Sequence, residues 1–308
     1  MNQARRIVAV FCGLVSLLAA PTARPAIQDL AGAVALPEVN GFAMPSPLRD
    51  LFGASGNLRA LFGTPEWLSQ NPALQPLLST LSLGTPGVQL LGLPANGGNP
   101  FAIVTLESLS AIRGARVDDY RVGTWPTRGR ASRESRYAPP PGFIPVTPEN
   151  ESTLVSKRFF LRDFLTHDQQ DVWPKVLVLS VALLDKLELI GDELERRGLP
   201  GSLHVMSGFR TPQYNARGVG SKGGRASQSR HMYGDAADLI VDGNGDGRMD
   251  DLDGDGRTTI RDARVLYAVA EGVEARYPDL VGGLSAYPAN AVHGPFVHVD
   301  ARGVRARW

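Results

Sequence analysis

Three side chains set far apart in this chain, His231, Asp238 and His298, are of the types and number that hold a catalytic zinc ion. Two imidazoles and one carboxylate leave the fourth tetrahedral position for water, whereas a structural site is closed by four protein ligands. His231 and Asp238 lie seven residues apart in Ser229-Arg-His-Met-Tyr-Gly-Asp-Ala-Ala-Asp238. On one straight helix that separation is about 10 Å, too long for two ligands with bonds of about 2 Å. The chain must therefore turn between them, and Gly234 is where it can. Leu-Ile-Val follows Asp238 and places the aspartate at the head of a strand. His298 sits inside Phe296-Val-His-Val-Asp300, where period-two alternation puts Phe296, His298 and Asp300 on one face. Two adjacent strands could then present Asp238 and His298 side by side, with His231 arriving from a loop. His167 and His204 have no metal-type neighbours and read as packed or surface residues.

The combined pattern resembles the LAS group of zinc peptidases, named for lysostaphin, D-alanyl-D-alanine carboxypeptidase and sonic hedgehog. It is most similar to the D-alanyl-D-alanine carboxypeptidase branch and its murein endopeptidase relatives. Their motif S-x-H-x-x-G-x-A-x-D is met by Ser229, His231, Gly234, Ala236 and Asp238. Their Ser-Gly-Tyr-Arg appears as Ser207-Gly208-Phe209-Arg210, followed by Thr211-Pro212 and Asn215. Their closing element, Glu or His, then x-x-His-x-His, is matched at His293 and His298, with Phe296 at the middle histidine. The resemblance covers residues 154–308.

It implies a zinc ion held by His231, Asp238 and His298, lowering the pKa of a bound water and polarising the scissile carbonyl. His293 would take the proton from that water and pass it to the leaving amine, work suited to an imidazole with its ordinary pKa of about 6.5. Arg210 would bind the carbonyl oxygen as charge develops, or a substrate carboxylate. Asp300 would hold a ligand imidazole from behind, with Ser229 also outside the ligand set. The implied fold is α+β, a small antiparallel sheet flanked by helices. The implied substrates are peptides of peptidoglycan, cut in stem peptides or crosslinks by a D,D-carboxypeptidase or an endopeptidase; Phe296 leaves the bond open. The rival reading is a non-catalytic, metal-stabilised cell-wall or partner-binding domain.

Directly after the Asp238 strand comes a second acidic stretch, 242–262. Read as a calcium loop, Asp242, Asn244 and Asp246 take positions one, three and five, Gly247 the turn, Arg248 a carbonyl ligand, and Asp253 the closing place. A second register over Asp251, Asp253, Asp255, Gly256 and Asp262 overlaps it and claims Asp253 twice. Calcium here is expected to support the loop structurally.

Bulk properties narrow the classes. The chain has 308 residues, 43% hydrophobic and 20% charged, with 34 Gly and 23 Pro that imply much loop. A net charge of +1 argues against a non-specific nucleic-acid binder, which needs a basic face. Arg5 and Arg6 precede an apolar run, Ile7 to Ala20, too short to span a bilayer comfortably and typical of a cleaved signal peptide. Residues 1–26 are therefore assigned to export, to the periplasm or cell envelope or by secretion, with no membrane anchor after cleavage. Cys12, the single cysteine, lies within that run, so the mature chain offers no thiolate ligand or nucleophile.

The supporting elements read as follows. Residues 27–99 read as a Pro/Gly/Leu-rich arm or short helices, with a near-repeat at 48–53 and 58–63 whose Leu48, Leu51, Phe52, Leu58, Leu61 and Phe62 are expected to pack on the main domain rather than on a partner. Residues 100–150 alternate in short runs and suggest a small N-terminal β unit. The zinc peptidase domain, 151–308, opens with three- and four-residue spacing from Trp173 through Val176, Leu177, Leu183, Leu184, Leu187, Ile190 and Leu194, which predicts one long helix stopped by Gly198 and Pro200. A strand over 202–207 and a turn at 208–212 follow.

Overall fold

The computed structural model describes residues 53–70, 85–91, 101–127, 129, 133–220 and 224–308. The signal segment, the first copy of the near-repeat through Phe52 and much of the 27–99 arm lie outside them.

The chain runs β1 (Ala60–Gly63), α1 (Pro65–Gln70), β2 (Gly87–Leu91), β3 (Phe101–Thr105), β4 (Arg116–Val117), β5 (Tyr120–Arg121), β6 (Ile144–Val146), β7 (Lys175–Leu177), α2 (Val181–Arg196), β8 (Leu203–Ser207), α3 (Pro212–Ala216), β9 (Ala236–Val241), α4 (Ile260–Arg276), β10 (Gly283–Tyr287), β11 (Phe296–Asp300) and β12 (Ala306–Arg307). The α+β expectation holds. The main sheet has the order β12-β10-β11-β9-β8; the four strands from β10 to β8 are antiparallel, and β12 joins β10 in parallel. Helix α4 packs on β10 and β11 and against α2. Val297, Val299, Leu239, Ala237 and Leu284 are fully buried. Alternation then leaves Asp238, His298 and Ser285 together on the opposite face.

Two expectations are corrected. The long helix does not include Trp173 to Leu177: residues 175–177 are strand β7, paired with β6, and α2 begins only at Val181. A short apolar run fits either period, and Pro174 forces the residue before it out of the helical region. The 58–63 copy of the repeat is not a short helix either. Its residues 60–63 form β1, which pairs in parallel with β3, and β2 covers the other edge of β3. Leu58 and Leu61 are buried, as the packing reading requires. The end of α2 is as expected: Arg197 caps it and Gly198 follows with φ +73°.

The β unit is not remote from the main sheet. Trp125 Nε1 donates to the Met232 carbonyl at 2.7 Å, and Gln213 N donates to the Val122 carbonyl at 3.0 Å. Arg230 Nη1 reaches the Arg136 carbonyl, and its guanidinium lies against the rings of Tyr137 and Tyr233, 4.9 and 4.6 Å from their centroids. This segment therefore clamps the loop that carries His231, a role the sequence alone did not disclose.

Candidate metal centre

His298 and Asp238 face each other directly in the β11–β9 ladder. His231 reaches them from a 3-10 turn, Arg230–Tyr233, that ends on Gly234 in the left-handed region at φ +71°. His298 Nδ1 lies 2.9 Å from Asp238 Oδ1, His231 Nε2 lies 3.3 Å from the same oxygen, and the two ring nitrogens are 3.3 Å apart. Tetrahedral zinc with bonds of about 2.0–2.1 Å separates neighbouring donor atoms by about 3.3 Å. The donor chemistry and the spacing both fit that ion.

Each donor is oriented from behind. His231 Nδ1 donates to the Gly208 carbonyl at 2.7 Å, which leaves Nε2 unprotonated and turned inward. His298 Nε2 donates to Asp300 Oδ2 at 3.3 Å, which frees Nδ1 in the same way. Asp300, fully buried, also accepts from Gly283 N at 2.8 Å and from both edges of Arg302. Asp238 turns its second oxygen, Oδ2, to Arg210 Nη2. Such outer partners fix tautomer and ring orientation and raise ligand basicity.

Electrostatics follow from this arrangement. Burial pushes the Asp238 carboxyl up, but the two imidazoles outweigh it and hold the group well below the usual range. Asp300 is likewise lowered, its bonds from His298 and Arg302 overcoming desolvation. Burial lowers His231, and Asp238 opposes that only in part. Burial also pulls His298 down, but Asp238 and Asp300 together carry it above its ordinary value.

The Ser207-Gly208-Phe209-Arg210 segment now has a physical account. A bulge between Val205 and Ser207 places Ser207, not Met206, opposite Asp238. Its Oγ accepts from Arg210 Nε at 2.9 Å. Gly208 approaches Phe164 so closely that a Cβ would lie 2.6 Å from the Phe164 Cα. Phe209 fills the core, and Arg210 N donates to the His231 carbonyl at 3.1 Å. Arg210 is thus tied to two sides of the centre, with Nη1 the end that has no partner among the described residues.

The remaining expected residues are placed less directly. His293 lies in the β10–β11 connection, half-buried, with its ring edge-on to Phe296 at 4.8 Å between centroids. Its Nδ1 donates to the Gly294 carbonyl at 2.7 Å, and Asn290 Nδ2 donates to its Nε2 at 2.8 Å. Its contacts among the described residues do not include the three donors. Phe296 stacks on Tyr287 at 4.7 Å, two positions from His298 on the same face. Ser229 begins the 3-10 turn through its backbone, its side chain making no capping bond. Asn290 and Trp308, whose ring lies against His298, were not singled out from the sequence, and Gly208 was named there only as part of a motif.

In the acidic stretch the two registers separate into consecutive loops. Asp242 accepts from the amides of Gly245, Asp246 and Gly247, Asp246 accepts from Arg248 N, and Asn244 accepts from Asp246 N. Asp250 bonds back to this first loop through Gly243 N. The side chain of Asp253 accepts from Asp255 N in the second loop and pairs with Arg261 in the first turn of α4. Asp251, Asp253 and Asp255 bring one oxygen each within 4.8 Å of one another. Such an exposed acidic cluster does not by itself specify an ion.

Residues 162–252 match the family model described as Peptidase M15, under a third of the chain. The match includes Arg210, His231 and Asp238 and stops short of His293, His298 and Asp300. No curated protein and no solved structure matches the chain. The match supports a peptidase, and the His-Asp-His group could hold its metal.

Proposed function

We propose that this chain is an exported zinc metallopeptidase that hydrolyses peptide bonds in peptidoglycan stem peptides or crosslinks. The observation that carries the reading is the closure of three donor atoms to 2.9–3.3 Å, each turned inward by a separate outer partner. The Peptidase M15 match over residues 162–252 supports the same chemistry. Zinc bound there supplies Lewis acidity to the scissile carbonyl and activates water.

The chain's own residues do the rest. His231, Asp238 and His298 hold the ion. Arg210, fixed to Asp238 and Ser207, turns Nη1 to the substrate carbonyl oxygen or a terminal carboxylate, where a guanidinium gains strength as charge develops. His293 accepts a proton from the attacking water at Nε2 once the Asn290 amide yields, and returns it to the leaving amine. Export rests on the sequence of residues 1–26 and is checked by cell fractionation.

Metal analysis of the purified protein, paired with mass spectrometry of digested cell-wall fragments, tests the reading. Monomers released from crosslinked dimers mean an endopeptidase, and loss of one alanine means a D,D-carboxypeptidase. His293→Ala should keep the zinc and lose hydrolysis by about 10²-fold or more. Zinc bound with no cleavage of any muropeptide by the wild type would leave only a binding domain.

A further inference from the structure

We propose that Trp308 is a positioning residue for the ligand His298, and through it for the metal. The inference rests on the zinc reading of the His-Asp-His group. His298 is met by Asp238 at Nδ1, by Asp300 at Nε2, and by two tilted rings: the indole of Trp308, with centroids 5.3 Å apart and planes 50° from each other, and the imidazole of His231, at 5.1 Å and 58°. The first two contacts fix which nitrogen points inward. They do not stop the ring from tilting about its bond to Cβ, because both lie near the ring plane. A packed ring does that, and of the two rings against His298 only Trp308 lies outside the ligand set.

A merely draped surface aromatic would be held by little. Trp308 is 56% exposed yet anchored at three places, all of them in the strand pair and turn that carry His298. Ser285 Oγ donates to its backbone oxygen at 2.5 Å, and Ser285 is the residue directly opposite His298 in the β10–β11 register. The indole Nε1 donates to the Tyr287 hydroxyl at 2.5 Å. The Arg302 guanidinium lies 5.5 Å from the indole centroid while gripping the carboxylate of Asp300, the partner of His298. Trp308 therefore touches both the ligand and the residue that holds the ligand's anchor.

The test is zinc affinity, read by competition against a chromophoric chelator with the full chain, together with the melting temperature of the metal-free protein. Trp308→Ala should weaken zinc on the order of tenfold, the range seen when outer partners of metal ligands are removed. Trp308→Phe, which keeps a flat ring on His298, should recover most of it, and Trp308→Leu should not. Trp67→Ala, which removes another half-exposed indole far from these anchors in sequence, should leave zinc affinity unchanged. Equal affinity in wild type and Trp308→Ala overturns the inference. So does a loss that Leu restores as well as Phe, since bulk alone would then suffice. If Trp308→Ala does not fold, Trp308→Leu takes its place, and zinc affinity equal to wild type there overturns the inference equally. A wild type that binds no zinc sinks the metal reading instead, which keeps the two failures distinct.

Discussion

Gly234→Ala should break the link between the loop of His231 and the start of α2. Gly234 sits at φ +71° and ψ 11°. A Cβ there would meet the Val178 carbonyl oxygen at 2.3 Å, its carbon at 2.4 Å and Leu179 N at 2.8 Å. These are backbone atoms, so no side-chain rotation relieves the contact. Left-handed backbone costs an L-residue about 1 kcal/mol or somewhat more. Relief requires Val178 to Ser180 to retreat, which breaks the 2.9 Å bond from Ser180 N to the Gly234 carbonyl, worth about 1 kcal/mol. With residual misfit the total is about 3 kcal/mol, or roughly 6–12 °C in Tm for a chain of this order. Gly245→Ala is the control: its φ is +76°, but nothing lies within 4 Å of the added Cβ. It should cost about 1 kcal/mol. Thermal unfolding of both variants, with bound zinc measured on each, is the assay. Equal destabilisation by the two, with zinc retained in both, would refute the claim that Gly234 is required by close approach.

Three further outcomes are expected. Asp300→Asn should weaken zinc by about 10–100-fold, measured by chelator competition, because the carboxylate that fixes His298 Nε2 loses its charge. Lys186→Met removes a fully buried ammonium bonded to Glu274 at 2.6 Å and to the Asp300 carbonyl at 2.7 Å. Since Arg307 still pairs with the other oxygen of Glu274, urea unfolding should show a loss near the lower end of the usual range, about 3 kcal/mol. Glu193 is held down to about 2 by its bond from Arg196, which with Arg197 outweighs desolvation. A folded-state value below the ordinary one contributes stability above pH of about 4.5 that is lost as pH falls towards about 2. Glu193→Gln should flatten the pH dependence of unfolding in that window and leave it unchanged near neutrality.

Much of the site was readable from residue types. The divided His, Asp and His pattern, the need for a turn at Gly234, and the facing of Asp238 and His298 on adjacent strands follow from donor chemistry and the strand period, and the register pairs those two residues directly. The end of α2 at Gly198 was equally local. Where the sequence misled, the local signal was shared by two states. Apolar residues from Trp173 to Leu177 suit a helix or a strand, and pairing with β6 decided for strand.

What the sequence by itself determined is the inventory: which side chains can bind a metal, and which backbone positions must bend to let them meet. What only the tertiary structure decided is which atom of each side chain is presented. The Gly208 carbonyl selects the His231 nitrogen across 23 residues, Arg210 takes the second Asp238 oxygen across 28, and Lys186 supports Asp300 across 114. Hydrogen bonds are directional and reach only a few ångströms, so such choices depend on where distant backbone lies after folding. No spacing along the chain records that distance.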